Sequence, residues 1–419
     1  MPRLRQSSPR ADGPAGGSPR EVASRVVRAG EVRRQRQGRR RGQWDALRTL
    51  WDCSSLDRVR TCRRVSRGKP VVLNLQDGRA SYSGLATCGS VWACPCCSSR
   101  INATRADELR QAVEGWHAQG GTVALLTLTM RHRRGVSLGT YWEALSPALA
   151  ASVGGRYSRA RKAKQAAGLF GYVITREATY GANGWHLHAH ALLFLNAPTT
   201  EALDELGSAF YAAWATRLER EGLAAPDLRH GIDLRVLELS EGRAHAAAYL
   251  AKGTYEATRA AGELSGGAGK TARRGNRTPW DVLADLTACR RPRDIALWRE
   301  WEQASHHRRA LTWSVGLRDR LALGQERDDD ALAVEDVEGG AAAETLLLLT
   351  PDEWRAVRHR RHGPTELLDA AEGGGPPVSA RRACVQLLNR WGVARPGPGP
   401  PVATTAAASV RSAPALAAV

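Results

Sequence analysis

Three histidines stand at alternate positions in Gly184-Trp185-His186-Leu187-His188-Ala189-His190, ahead of the apolar run Ala191-Leu192-Leu193-Phe194-Leu195. Successive side chains of a strand point to opposite faces, so His186, His188 and His190 share one face. Imidazoles grouped on one face of so apolar a strand point to a divalent metal held through ring nitrogens. The alternative is a histidine-rich edge facing water. Asn183-Gly184 is a hairpin-turn dipeptide. With the turn centred between Tyr180 and Trp185, Glu177 lies directly across from His188 on the same face. A carboxylate there completes a set that two histidines hold poorly. A register slip of one residue would carry Glu177 to the opposite face.

An open-sided metal site polarises a phosphodiester and stabilises charge on a departing oxygen, and it then needs a nucleophile. Tyr249 lies in an alanine-rich helical pattern over residues 244–261, with Lys252 on the same helical face. A tyrosine hydroxyl with a basic neighbour near a metal can act as a covalent nucleophile. By local pattern alone the pair reads more readily as a packed tyrosine and a solvated lysine.

Six of the eight cysteines fall between Cys53 and Cys97. Cys94 and Cys97 form a C-x-x-C knuckle, with Cys88 and Cys62 upstream. Four thiolates in two spaced groups suit a closed tetrahedral zinc site, structural because no position is left open. Cys96 and Cys53 are the spare candidates. Unligated buried thiols are the alternative.

The elements that must position these residues lie in the middle of the chain. Apolar runs over 122–130, 171–179, 185–195 and 231–239 read as strands, and 103–118, 140–167 and 199–221 as helices. The expected fold class is therefore α+β, a central antiparallel sheet with helices, preceded by a small zinc-binding module and flanked by disordered ends. The expected organisation is a disordered basic arm over 1–45, a cysteine-rich module over 46–102 and the main domain over 103–320. An acidic linker over 321–340, a small helical segment over 341–394 and a disordered tail over 395–419 follow.

The formal net charge of +19 over 419 residues points to a polyanionic partner, most simply nucleic acid. Residues 1–43 hold twelve arginines against three acidic residues, so about half of that charge sits in the arm. No segment reaches the roughly 18 apolar residues of a membrane span and no secretory signal is visible, so no membrane partner and a cytoplasmic location are expected.

Taken together, Leu126-Thr127-Leu128-Thr129, Gly184-Trp185-His186-Leu187-His188-Ala189-His190-Ala191-Leu192-Leu193 and Tyr249-Leu250-Ala251-Lys252 resemble, in order, the three motifs of the HUH endonucleases. More narrowly they resemble the replication initiator (Rep) proteins of rolling-circle bacterial plasmids. Thr87-Cys88-Gly89-Ser90-Val91-Trp92-Ala93-Cys94-Pro95 resembles the zinc-binding region ahead of the nuclease motifs in that family. Arg277-Thr278-Pro279-Trp280-Asp281 and Thr312-Trp313-Ser314 resemble its end, so the likeness covers roughly residues 60–320.

The resemblance implies a nuclease in which His188 and His190 bind Mg²⁺ or Mn²⁺, with Glu177 as third ligand and His186 as its substitute. Tyr249 would attack one scissile phosphate at the plasmid's double-strand origin, becoming joined to the 5′ phosphate and freeing a 3′ hydroxyl primer. Lys252 would position the phosphate, and attack in the reverse sense would rejoin the strand. Some relatives carry a glutamate one helical turn before the tyrosine for termination. Here His245 stands there, with Glu241 and Glu256 as nearby carboxylates. Origin DNA, single-stranded or as a hairpin, is the implied partner, with host helicase and DNA polymerase by analogy. Two other readings remain at this level: a single-tyrosine transposase, and a zinc-containing DNA-binding regulator without catalysis.

Overall fold

Along Gly184–Leu195 burial first alternates, half-buried then buried, and from Ala191 onward every residue is buried. One strand thus has one half open on a single face and one half covered on both. The computed structural model describes residues 19–68, 70–154, 160–237, 276–334 and 343–393, with side chains from residue 30 onward. Its strands are β1 (Val71–Gln76), β2 (Arg79–Ser83), β3 (Thr122–Thr129), β4 (Leu169–Gly181), β5 (Gly184–Leu195), β6 (Ile232–Val236), β7 (Leu311–Trp313) and β8 (Glu344–Leu349). The helices are α1 (Pro19–Cys53), α2 (Asp57–Thr61), α3 (Pro95–Ala118), α4 (Leu138–Ala151), α5 (Arg161–Ala166), α6 (Thr200–Arg220) and α7 (Leu228–Gly231). Beyond them come α8 (Pro279–Ala288), α9 (Pro292–Ser305), α10 (Leu317–Arg320), α11 (Asp329–Val334), α12 (Pro351–His359), α13 (Gly363–Gly373) and α14 (Pro377–Arg390).

The chain is a mixed α+β protein with two antiparallel sheets. The larger has the order β6-β3-β5-β4-β7. One face of it, through Leu126, Leu128, Ile174, Trp185, Leu187 and Leu193, packs into the main core with side chains of α4, α6, α8 and α9. The other face is divided. Val123, Leu125, Val173, Leu192 and Phe194 are covered by Leu109, Val113 and Trp116 of α3. The far half of that same face carries the histidines. Trp116 Nε1 donates to the Leu195 carbonyl at 3.1 Å, which holds α3 at the apolar end of β5. The β4–β5 hairpin turns at Ala182-Asn183, and Gly184 supplies the positive φ (88°) that closes it.

The second sheet, β2-β1-β8, overturns three expected boundaries. First, α1 occupies much of the supposed disordered arm. Trp44, Leu47, Leu50 and Trp51 form a buried helical stripe, and Arg36, Arg40 and Arg41 find partners on α13. Second, 341–394 is neither purely helical nor separate. β8 pairs along β1, joining that segment to the cysteine module, and Trp44, Tyr82 and Trp354 lock α1, β2 and α12 edge to face at 5.0–6.3 Å. Third, the acidic linker contains α11, held to α3 where Arg105 meets Asp329 at 3.3 Å. α3 itself runs through the boundary expected at 102/103. The remainder of the expected disordered ends, 1–18 and 395–419, lies outside the described residues.

Glu372 is the electrostatic pin of this N- to C-terminal joint. Its side chain is 2% exposed and meets Arg36 at 3.0 Å and Arg40 at 2.8 Å, and it accepts from the Ala80 N–H at 3.1 Å. Burial works against its charge, but Arg40, Ala80 and Arg36 hold the carboxyl below its ordinary value. Its folded-state pKa is thus depressed, so its contribution is present at neutral pH and fades as acidification passes down through that value. Glu372→Ala, which strands buried arginine, is expected to cost about 3 kcal/mol in urea unfolding at pH 7. The gap to wild type should narrow in acid.

Candidate metal centres

The β4–β5 register pairs Glu177 with His188, Thr179 with His186 and Thr175 with His190. This is the antiparallel alignment that a turn between Tyr180 and Trp185 requires. Glu177 Oε2 lies 3.3 Å from His188 Nε2 and 3.5 Å from His190 Nε2. Burial disfavours the charged carboxylate, but hydrogen bonds and charge from His188 and His190 hold Glu177 well below the usual carboxylate range. At neutral pH it is an anion between two imidazoles.

β3, which carries the Leu126–Thr129 motif, contributes side chains to which the sequence pattern gave no role. Thr127 pairs with His190 and Thr129 with His188 across the β3–β5 ladder. Thr127 Oγ1 lies 3.0 Å from His190 Nδ1, which fixes the ring and leaves its Nε2 towards Glu177. Asp233 on β6 extends the same row beyond Thr127, and it is exposed. His132, just past β3, stacks on His186 with ring centroids 4.5 Å apart. Burial first, then the nearby His188 and His132, push His186 down to about 4, so its ring is neutral at physiological pH. Only the cross-strand register marks Thr127 and Asp233 from sequence, and it needs the strand order to be known.

These residues fit a divalent cation. Donors around a cation at roughly 2.1 Å lie about 3.0 Å apart in an octahedron and about 3.4 Å apart in a tetrahedron. The two separations from Glu177, 3.3 and 3.5 Å, fall at that spacing. His188 Nδ1 is buried with no hydrogen-bond partner among the described residues, so this ring is not held by protein on its second nitrogen. Glu177, His188 and His190 present one donor atom each, all within 4.8 Å of one another. Two imidazoles and one carboxylate leave coordination positions open to substrate. His186 lies beside them, 5.2 Å from His188 by ring centroids, and is outside that three-residue group.

Cys62, Cys88, Cys94 and Cys97 come together from the end of α2, the loop after β2 and the start of α3. Sγ separations of 3.7 Å link Cys62 to Cys94, Cys62 to Cys97, and Cys88 to Cys97. A zinc tetrahedron with arms of about 2.3 Å has edges of about 3.8 Å, so the buried donor set fits the ion. Hydrogen bonding from Cys62, Cys88 and Cys94 draws the Cys97 thiol well below its ordinary value, and Arg63 adds to the effect. Cys96 points instead to the Gln43 carbonyl, 3.9 Å away, and Cys53 is buried outside the group.

Tyr249, Lys252 and His245, with Glu241 and Glu256, lie outside the described residues. The Arg277–Asp281 motif begins α8 with a capping box between Thr278 and Asp281, and the Tyr180–Arg277 bridge ties it to β4. Thr312 and Trp313 belong to β7, which completes the sheet beside β4. Among the described residues no helix is long and apolar enough to cross a membrane.

A protein named "Protein rep" from Streptomyces lividans is 32% identical to this chain over 72% of the chain and 79% of its own length. A "Neomycin resistance protein" from Streptomyces cyanogenus is 33% identical over 29% of this chain and 33% of its own length. No protein-family profile and no solved structure matches the chain.

Elemental analysis of purified protein should find about one zinc per chain, with Cys88→Ser and Cys97→Ser reducing it to near zero and lowering the melting temperature. Cys96→Ser should keep the zinc. Equal zinc in all three variants would remove these cysteines as ligands.

Proposed function

Given that this chain belongs to the Rep family of plasmid replication proteins, we propose that it initiates rolling-circle replication by nicking one DNA strand at the plasmid's double-strand origin. The larger sheet, with one motif on β3 and one on β5, is read as an HUH nuclease fold. The observation that carries this reading is the placement of Glu177, His188 and His190 on paired strands, with donor separations of 3.3 and 3.5 Å and an open side.

In this mechanism Glu177, His188 and His190 hold Mg²⁺ or Mn²⁺, and Thr127 fixes the His190 ring so that Nε2 stays available. The bound cation supplies positive charge that offsets negative charge growing on the scissile phosphate. Tyr249 gives up its phenolic proton and its oxygen attacks phosphorus. The new bond joins Tyr249 to the 5′ phosphate as the bond to the 3′ oxygen breaks. That oxygen takes a proton and becomes the primer hydroxyl for leading-strand synthesis. Lys252, three residues along, offsets charge beside the tyrosine. Attack by a 3′ hydroxyl on the phosphotyrosine reverses these bond changes and rejoins the strand, with His245 as the candidate residue for termination. The cysteine set holds Zn²⁺ in a structural role. The substrate is origin DNA presented as a single strand or hairpin, and host helicase and DNA polymerase act on the primed product in the cytoplasm.

On supercoiled plasmid carrying the cognate origin, added Mg²⁺ or Mn²⁺ should give a nick and a covalent protein–DNA adduct. Buffer lacking both should give neither. Tyr249→Phe should abolish the adduct while DNA binding persists, and His188→Ala should stop cleavage. Thr127→Val, which frees the His190 ring but removes no ligand, should lower the rate by about 10–100-fold. DNA binding without nick or adduct in wild type under both metals would sink the nuclease reading.

A further inference from the structure

An arginine-lined cleft lies on the second sheet, away from the histidine face. It has a volume of about 990 Å³ and is bounded by α1, the β1–β2 turn and the start of α3. Six arginines line it against two carboxylates, Asp77 and Glu372. Arg36 and Arg40 are committed to Glu372, and Arg100 donates to the Ala333 carbonyl at 2.9 Å. Arg39, Arg63 and Arg79 have no carboxylate partner among the described residues. Arg39 and Arg79 are exposed. Arg63 lies over the Trp44 ring at 5.7 Å, and its Nε is buried without a hydrogen-bond acceptor. Arg63 also faces the cysteine thiols, which leaves Arg39 and Arg79 as two exposed cations on separate segments lining one cleft, a pattern that calls for an anion with repeated charge.

The lining also separates double-stranded from single-stranded nucleic acid. Single strands are gripped by stacking bases on exposed aromatic rings. The aromatic residues of this cleft, Trp44 and Tyr82, are 3% and 4% exposed and are spent on packing with Trp354. What the cleft offers is charge, together with polar Gln43, Gln76 and Ser99. That chemistry addresses phosphates and not bases.

We propose that this cleft binds the phosphodiester backbone of duplex DNA flanking the nick site, through Arg39 and Arg79. The proposal rests on the DNA-processing reading above for its ligand, but not on the tyrosine chemistry. α3 is the rigid link between the two sites. Ser99 and Arg100 line the cleft, whereas Leu109, Val113 and Trp116 pack on the apolar half of the histidine face. Thirteen residues from Arg100 to Val113 span about 20 Å of helix, or roughly six base-pair steps. The duplex is thereby held beside, and not within, the cleavage site.

The test measures binding without cleavage, in buffer lacking added Mg²⁺ or Mn²⁺, so it stands whether or not the protein nicks. The probes are a labelled mixed-sequence duplex of about 30 base pairs and a labelled single strand of about 12 nucleotides, each titrated across a salt series. Arg39→Ala/Arg79→Ala changes only exposed side chains. It should lower the salt slope for the duplex by about 1.8 and weaken duplex binding by roughly 30-fold at 0.15 M salt, leaving the single strand unaffected. Arg39→Lys/Arg79→Lys should restore most of the slope, and Arg355→Ala/Arg358→Ala on α12 should lower it less. Unchanged duplex binding would overturn the proposal and leave the cleft to an acidic protein partner. Equal weakening on both probes would also overturn it, because the arginines would then lie on the single-strand path.

Discussion

The register of the β4–β5 hairpin is the constraint on which the rest of this protein depends. Side chains alternate faces along a strand, so a slip of one residue would turn Glu177 away from His188 and His190. What prevents the slip is mostly apolar. Leu187, Ala189, Ala191 and Leu193 fit the main core on one face, and Leu192 and Phe194 fit the α3 layer on the other. The polar cluster is a small part of the interaction that fixes it. The glycine-closed turn sets the pairing, and burial on both faces of the strand's second half keeps it.

The same economy governs the second half of the molecule. The Cys62, Cys88, Cys94 and Cys97 group gathers α2, the loop after β2 and the start of α3 at a place where loops would otherwise have little core. α1 and the C-terminal segment then close around the β2-β1-β8 sheet through the Trp44–Tyr82–Trp354 cluster and the Arg40–Glu372 pair. α3 emerges from this unit and ends against the large sheet. The cysteine group and the apolar half of the histidine face are therefore joined by one continuous helix.

Much of the histidine site was legible in the sequence because it is built from local rules. Alternation puts His186, His188 and His190 on one face, and a short turn puts Glu177 opposite His188 with no knowledge of the remaining fold. The C-x-x-C knuckle and its two upstream cysteines were legible as a candidate set from their spacing, while Cys96 and Cys53 stayed as spares until the fold set them apart. The contact of Thr127 with His190, and the places of His132 and Asp233 beside the site, were not legible from local pattern. Their proximity arises from β3 and β6 pairing beyond β5, a long-range order that no local pattern encodes. The basic arm misled for a related reason. Its arginine-rich composition reads as disorder until partners distant in sequence, Asp369 and Glu372, are brought beside it.

The sequence by itself determined the candidate donors, the face on which they lie and the chain's strong positive charge, because residue type, strand period and charge are local or additive properties. The tertiary structure alone decided that β8 completes the cysteine module's sheet and that α3 joins both halves. It also decided which arginines are left uncommitted in a single cleft. Those outcomes depend on which distant segments bury each other's apolar faces and neutralise each other's charges, and that is settled only when the chain is folded.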